Sequence, residues 1–219
     1  MKLSIRKHLL AATTALVALA PAAFADSVLD KYTPVTSQDL LNPSKSDWLH
    51  WRGDYANTGF SHLDQINKET VKDLELAWAW PMADVGIQET APLVRDGVMF
   101  LQTSNGIVEA LDAKSGDLLW TYRHVLPELP KSWSYQANQA RRQKNSIALA
   151  GDKVILTTPD AKLVALEAKT GKVAWEKQAL DWEKGYSYTI GGLVVENTII
   201  TAISGCSIGT PSNPMTSRR

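Results

Sequence analysis

The chain has 219 residues, of which 44% are apolar and 21% are charged, a composition typical of a folded globular protein. Its 23 basic and 23 acidic residues cancel, which excludes a strongly basic chain overall, so nothing in the composition points to a nucleic-acid partner. A single cysteine, Cys206, excludes a disulfide within the chain, so core burial has to stabilise the fold.

Residues 1–25 have the plan of a secretory signal peptide. A basic start is followed by an apolar run at 9–20 and then by small residues on either side of Phe24. The apolar run is too short to cross a bilayer, which takes about 20 residues. We therefore expect cleavage before Asp26, export to a compartment that best fits the bacterial periplasm, and no transmembrane segment in the mature chain.

The next stretch carries few secondary-structure signals. Residues 26–47 are polar with scattered proline and serine, residues 48–60 are rich in aromatic residues and glycine without clear periodicity, and together 26–60 predict an extended leader. A short helix is predicted at 67–74, where Asn67 is a good N-cap and Val71 and Leu74 have the spacing of one buried face. Residues 74–78 then predict a strand.

From residue 91 onwards the pattern is one of short strands separated by turns. Asp96 and Gly97 form a strong hairpin signal between the first two strands. The first unit of four predicted strands covers 91–94, 98–103, 108–112 and 117–120, the second covers 146–149, 153–157, 163–166 and 173–175, and a third begins at 192–195 and 198–202.

The first two units are copies of one repeat. Residues 110–120 and 165–175 are identical at six of eleven positions, and Trp175 follows Trp120 by 55 residues (175 − 120). Four short strands per repeat of this length predict an all-β fold, a β-propeller whose thin blades stack on one another. We expect both tryptophans to dock against the neighbouring blade. Residues 61–219 then form an incomplete propeller of about two full blades and the start of a third, with an aberrant tail at 211–219.

The repeated pattern Ala-Leu-Asp/Glu-x-x-Ser/Thr-Gly-x-x-x-Trp resembles the tryptophan-docking repeat of the pyrroloquinoline quinone (PQQ) dehydrogenases. The segments 48–67 and 88–94 resemble the same family. The resemblance implies an alcohol-oxidising enzyme built as a propeller of about eight blades. It also implies a quinone stacked on the propeller axis, a cation that is commonly Ca²⁺, and a cytochrome or a quinone as electron acceptor.

Six residues match positions that border the quinone in that family. Each also has an ordinary interpretation: a surface glutamate, a solvated basic run, a strand threonine and a turn of small residues. The candidate cofactor-binding residues are Glu89, Arg142, Thr189, Ser204, Gly205 and Cys206.

The chain departs from the family at the metal site and lacks the later blades. Ser207 stands where the family has a glutamate ligand, and a neutral hydroxyl is a poor ligand for a hard cation, so no metal ligand is assigned. The family's stacking tryptophan and proton-accepting aspartate lie in later blades. Asp112 and Asp160 are interpreted as turn residues, and no catalytic residue is assigned.

The resemblance therefore implies the N-terminal part of a periplasmic quinoprotein alcohol dehydrogenase, and we expect this part to be inactive and poorly stable by itself. The alternatives are a cofactor-free propeller scaffold of the outer-membrane assembly type and a degenerate reading frame. The absence of a cysteine at the new N-terminus, which a lipoprotein needs, argues against the scaffold, as does Glu89.

Overall fold

Two four-stranded antiparallel meanders dominate the structure, a computed structural model that describes residues 27–82, 90–103, 106–128 and 147–205. In both, the strands lie side by side in chain order. The first sheet contains β1 Leu93–Arg95, β2 Val98–Thr103, β3 Ile107–Asp112 and β4 Leu118–Arg123. The second contains β5 Ala148–Ala150, β6 Lys153–Thr157, β7 Lys162–Glu167 and β8 Val173–Gln178. These sheets are the two full blades that the repeat predicts.

The two sheets share their irregularities as well as their topology. The pairing of β3 with β4 shifts register after Ala110, and the pairing of β7 with β8 shifts at the equivalent Ala165. Gly116 and Gly171 have φ of 78° and 68°, a left-handed backbone that glycine adopts without steric cost. The repeated sequence therefore encodes the turn and bulge geometry as well as the strands.

Two shorter pairs of strands follow the second sheet. A hairpin joins β10 Leu193–Val195 to β11 Thr198–Ile200, as the start of a third repeat predicts. On either side of this hairpin, β9 Tyr186–Tyr188 pairs with β12 Ile203–Gly205. The prediction of one strand over 198–202 was wrong at its end, because β11 stops at Ile200 and the chain turns back to β9.

Tryptophans join successive units. The Nε1 of Trp120 donates a 2.9 Å hydrogen bond to the carbonyl of Ala168, in the turn between β7 and β8 of the second sheet. The docking predicted for Trp120 is confirmed. The docking predicted for Trp175 is not seen, because its side chain is 40% exposed and, among the described residues, only two-stranded sheets follow the second four-stranded sheet. Trp78 makes the same contact one unit earlier, donating to the Ala113 carbonyl at 3.2 Å. The sequence did not single out Trp78, because the Ala-Leu-Asp turn does not precede it.

The core lies within the two sheets and in the space between them. The inner strands β3 and β6 are buried at nearly every position and so on both faces of their sheets, whereas β8 is exposed throughout. The largest fully buried side chains are Phe100, Leu93, Ile107, Leu111, Leu149, Ile155, Leu156, Leu166, Val98, Val108, Val154 and Val164.

The leader predicted over 26–60 is packed rather than simply extended in its described part. A 3₁₀ turn at Val28–Lys31 and helix α1, Ser37–Leu41, each begin at a capping box, and four apolar residues join the core: Tyr32, Val35, Leu40 and Leu49. Composition suggested an extended segment because these apolar residues are isolated from one another in sequence.

An ion network fixes this segment to the first sheet. The buried guanidinium of Arg95, at the end of β1, lies 2.9 Å from a carboxylate oxygen of Asp47. The same guanidinium donates to the hydroxyl of Thr33 at 2.8 Å. The other oxygen of Asp47 accepts from the amide of Asp96 at 3.1 Å.

The helix predicted over 67–74 is reduced to a single 3₁₀ turn at Val71–Asp73. Asn67 is not its N-cap: that position is Thr70, which makes no side-chain capping bond, while the side-chain oxygen of Asn67 accepts from the amides of Glu69 and Thr70 in the preceding turn. The predicted buried face was wrong, because Val71 is 50% and Leu74 is 57% exposed. Residues 74–78 are irregular instead of forming a strand. Among the described residues, no helix is long and apolar enough to cross a membrane.

Candidate functional site

Two of the predicted cofactor-binding residues lie side by side. Thr189 directly follows β9 and Ser204 lies on β12, and their hydroxyl oxygens are 2.8 Å apart. Ser204 pairs with Ser187, so Thr189, two residues further along, presents its side chain to the same face. The pair is accessible to solvent. The antiparallel pairing of β9 with β12 thus assembles the two hydroxyls from positions 15 residues apart.

Gly205 ends β12 opposite Tyr186. A β-carbon at this position would stand 3.0 Å from Cε1 of the Tyr186 ring, which is tighter than ordinary van der Waals contact. Gly205 is one of the predicted cofactor-binding residues, and the packing of the tyrosine ring on the neighbouring strand is a structural reason for glycine at this position.

The other predicted site residues lie outside the described residues. These are Glu89, Arg142 and Cys206, and the same holds for Ser207, for the signal peptide and for the tail. The next residue after Glu89 is described: the hydroxyl of Thr90 donates to the carbonyl of Gln102 at 2.7 Å. This bond holds the segment that precedes β1 against strand β2.

A further residue, which the sequence did not identify, touches the segment that carries Thr189. The hydroxyl of Thr157, the last residue of β6, donates a 2.8 Å hydrogen bond to the carbonyl of Ile190. Thr157 is fully buried. The sequence carries no signal for this contact, because the partner of Thr157 is 33 residues away in the chain.

Asp160 has a structural role, which agrees with its interpretation from the sequence as a turn residue. Its carboxylate is buried and lies 2.9 Å from Nε2 of His124, which follows β4. Burial would raise the pKa of Asp160, but the hydrogen bonds from His124 and Thr158 outweigh it and leave the pKa below its ordinary value. The pair ties the end of the first sheet to the β6–β7 turn.

The described residues offer hydroxyl donors but no metal site. Within the described ranges, no three His, Cys, Asp or Glu side chains come close enough together to hold an ion. Hydroxyl groups suit the carboxylate and carbonyl oxygens of an organic ligand. The chemistry of the Thr189–Ser204 pair therefore fits a polar organic cofactor and does not fit a hard cation.

Comparison with known proteins yields one consistent group. The family described as "PQQ: Glucose/ethanol/alcohol dehydrogenase, beta-propeller domain" matches residues 48–199. A quinohemoprotein alcohol dehydrogenase of Comamonas testosteroni is 35% identical over 74% of this chain and 23% of its own length. The dehydrogenase subunit of an alcohol dehydrogenase (quinone) of Gluconobacter oxydans is 34% identical over 93% of this chain and 27% of its own.

The fold agrees with the sequence comparison. The crystal structure of the quinohemoprotein alcohol dehydrogenase from Comamonas testosteroni superposes with a TM-score of 0.69 at 29% identity. It covers 81% of this chain and 27% of that structure's chain. The chain thus spans about a quarter of the length of the relatives it matches.

Proposed function

This chain belongs to the PQQ family of glucose, ethanol and alcohol dehydrogenase β-propellers, and from that membership we propose that it forms part of an enzyme that oxidises alcohols with pyrroloquinoline quinone. The observation that carries the proposal is the Thr189–Ser204 hydroxyl pair, which the fold assembles at two positions predicted to contact the quinone.

The pair can hold the cofactor through hydrogen bonds. Two hydroxyls carry two O–H donors, and one of these is used inside the pair. The second is free to donate to a carboxylate or a carbonyl oxygen, a bond that is stronger when the acceptor is charged. A quinone bound there would supply the hydride acceptor for alcohol oxidation. We propose that the remaining predicted residues are further cofactor contacts: Glu89, Arg142, Gly205 and Cys206.

The family also implies a cation such as Ca²⁺, but no ligand for it is assigned to this chain. A neutral hydroxyl at Ser207 is a weak ligand for Ca²⁺, which binds six to eight oxygens and favours carboxylates. Any cation would have to take its carboxylate ligands from elsewhere in the enzyme.

The proposed setting is the periplasm, which export by the signal peptide at residues 1–25 supports. The substrate is a small alcohol. The proposed electron acceptor is a cytochrome or a quinone, and the name of the Gluconobacter relative, an alcohol dehydrogenase (quinone), supports the second.

Calorimetric titration of PQQ into the purified chain tests the proposal. We expect saturable binding with one quinone per chain, weakened about tenfold or more in the double variant Thr189→Val, Ser204→Ala, because one hydrogen bond to a ligand is worth about a factor of ten. Ser187→Ala is the matched control, since Ser187 lies opposite Ser204 but bonds the carbonyl of Tyr188. A cofactor-free scaffold would show no saturable heat at all.

A further inference from the structure

The segment that carries Thr189 is held at a point just beyond it. Ile190 exposes 49% of its side chain, so packing of that side chain does little to fix it. Its carbonyl, in contrast, accepts the 2.8 Å hydrogen bond from the buried hydroxyl of Thr157. The second sheet is thereby connected to the loop between β9 and β10.

The two residues directly after Ile190 offer little other restraint, and the chain is next anchored at β10, where Val194 is buried. Gly191 and Gly192 follow, and glycine has the greatest conformational freedom of all residues. The hydroxyl of Thr201 reaches the Gly191 carbonyl at 3.5 Å, at the long limit of a hydrogen bond. On the other side of Thr189, the buried Tyr188 holds β9 against the core. Thr189 therefore sits between a packed tyrosine and a carbonyl that Thr157 restrains.

We propose that Thr157 is a positioning residue for the cofactor site: its hydroxyl fixes the backbone at Ile190 and so keeps the Thr189 hydroxyl beside that of Ser204. Its importance for PQQ rests on the proposed function. Its effect on the backbone does not, because the contact belongs to the protein alone.

Two variants separate the hydroxyl from the shape of the side chain. Thr157→Val has nearly the same volume but no donor, and Thr157→Ser keeps the donor. The matched control is Thr158→Val, which changes an equally buried threonine next to it. The Thr158 hydroxyl bonds the backbone of Lys162 within the β6–β7 turn, so its loss destabilises the second sheet without touching Ile190.

Two measurements are made on all variants of the full chain: amide hydrogen exchange over residues 189–192 and the dissociation constant for PQQ. We expect faster exchange and about tenfold weaker binding in Thr157→Val, with recovery of both in Thr157→Ser and with neither change in Thr158→Val.

The outcomes distinguish the two proposals. If the wild-type chain binds PQQ and Thr157→Val binds equally well, Thr157 is not a positioning residue, and the proposed function stands. If the wild-type chain binds no PQQ, the proposed function fails, and the exchange rates alone decide whether Thr157 restrains the segment. Equal exchange in Thr157→Val and Thr158→Val overturns the positioning role in either case.

Discussion

Trp120 packs so closely on Gly171 that a β-carbon at the glycine would stand 2.5 Å from Cε3 of the indole. Trp78 has the same relationship with Gly116, at 2.7 Å from Cδ2. In each case the ring of one unit covers the turn glycine of the next, while its N–H bonds a carbonyl of that turn. Trp175, the next member of the series, is 40% exposed.

Gly171→Ala should destabilise the chain strongly, by about 2–4 kcal/mol in the free energy of unfolding, because it adds a clash with a core ring to the cost of a left-handed backbone. Gly151→Ala is the matched control: its φ is also positive, at 57°, but a β-carbon there meets nothing within 4 Å. We expect it to cost only about 1–2 kcal/mol. Urea denaturation measures both, and equal losses would show that the ring contact does not matter.

Trp120→Phe and Trp175→Phe make a second matched pair at equivalent positions of the two sheets. The first removes a hydrogen bond and volume from a side chain that is 9% exposed, and we expect a loss of about 2–3 kcal/mol. The second acts on a half-exposed ring and should cost less than about 1 kcal/mol. The midpoint of thermal unfolding reports the difference. A larger loss for Trp175→Phe would mean that its ring is covered in solution.

Asp47→Ala should release the N-terminal segment from the first sheet. It leaves the buried guanidinium of Arg95 without its closest carboxylate, but Asp39 and Asp96 each remain 3.3 Å away, so we expect a loss of about 2–3 kcal/mol, below the roughly 3–5 kcal/mol of an unpaired buried charge. Asp117→Ala, in the exposed β3–β4 turn, removes a carboxylate that accepts a hydrogen bond from the neighbouring Ser115 and should cost less than about 1 kcal/mol. Limited proteolysis after Lys31 or Lys45, followed by mass spectrometry, should show faster cleavage in Asp47→Ala alone.

The stability of the chain should fall in acid through Asp160. Burial opposes ionisation of this carboxyl, but the hydrogen bonds from His124 and Thr158 keep its pKa below the ordinary 3.8. A lowered pKa in the folded state adds stability above about pH 4, and that stability is lost as the pH falls through the folded pKa. Asp160→Asn should therefore be less stable than wild type near pH 6 and approach it near pH 2.5, in urea titrations at each pH.

Asp152→Asn is the control for that experiment. The pKa of Asp152 is also lowered, chiefly by the hydrogen bond from Lys153, but its side chain is 64% exposed. Water and salt screen such a pair. We expect the curve of Asp152→Asn to follow that of wild type, most closely in 0.5 M NaCl. A wild-type curve for Asp160→Asn would show that the buried pair contributes no acid-labile stability.

The purified chain should not turn over alcohol by itself. We expect no dye-linked ethanol oxidation after addition of PQQ and Ca²⁺. No residue of this chain matches the family's proton-accepting aspartate, and Ser207 stands in place of its glutamate metal ligand. The matched positive control is a full-length PQQ alcohol dehydrogenase in the same assay. Clear turnover by this chain would mean that its own residues complete the site.

Some of the fold could be read from short-range patterns. The turn glycines, the succession of short strands and the docking of Trp120 follow from the repeat, whereas Trp175, for which the repeat predicts the same docking, is 40% exposed. Trp78 and the packed leader were missed, since their partners are distant in the chain: Trp78 bonds a carbonyl 35 residues away. Short segments such as 74–78 carry too few residues for a periodic pattern to distinguish a strand from irregular backbone.

For the candidate site, too, the sequence predicted some features and missed those that depend on contacts between distant residues. Resemblance to the family identified Thr189 and Ser204 singly, but their contact depends on the pairing of β9 with β12 around an intervening hairpin. Thr157 could not be found from the sequence, because a buried threonine looks the same whether it bonds its own strand or a segment of the next unit.

The amino-acid sequence by itself determined the blade. Its strand periodicity, its glycine turns and the tryptophan that each unit presents to the next are short-range features of the sequence. Local sterics and burial decide them. The tertiary structure alone decided which distant groups meet: Thr189 with Ser204, Thr157 with Ile190, Arg95 with Asp47. Hydrogen bonds and ion pairs are directional and short-ranged, so their partners are settled only when packing has brought the chain segments together.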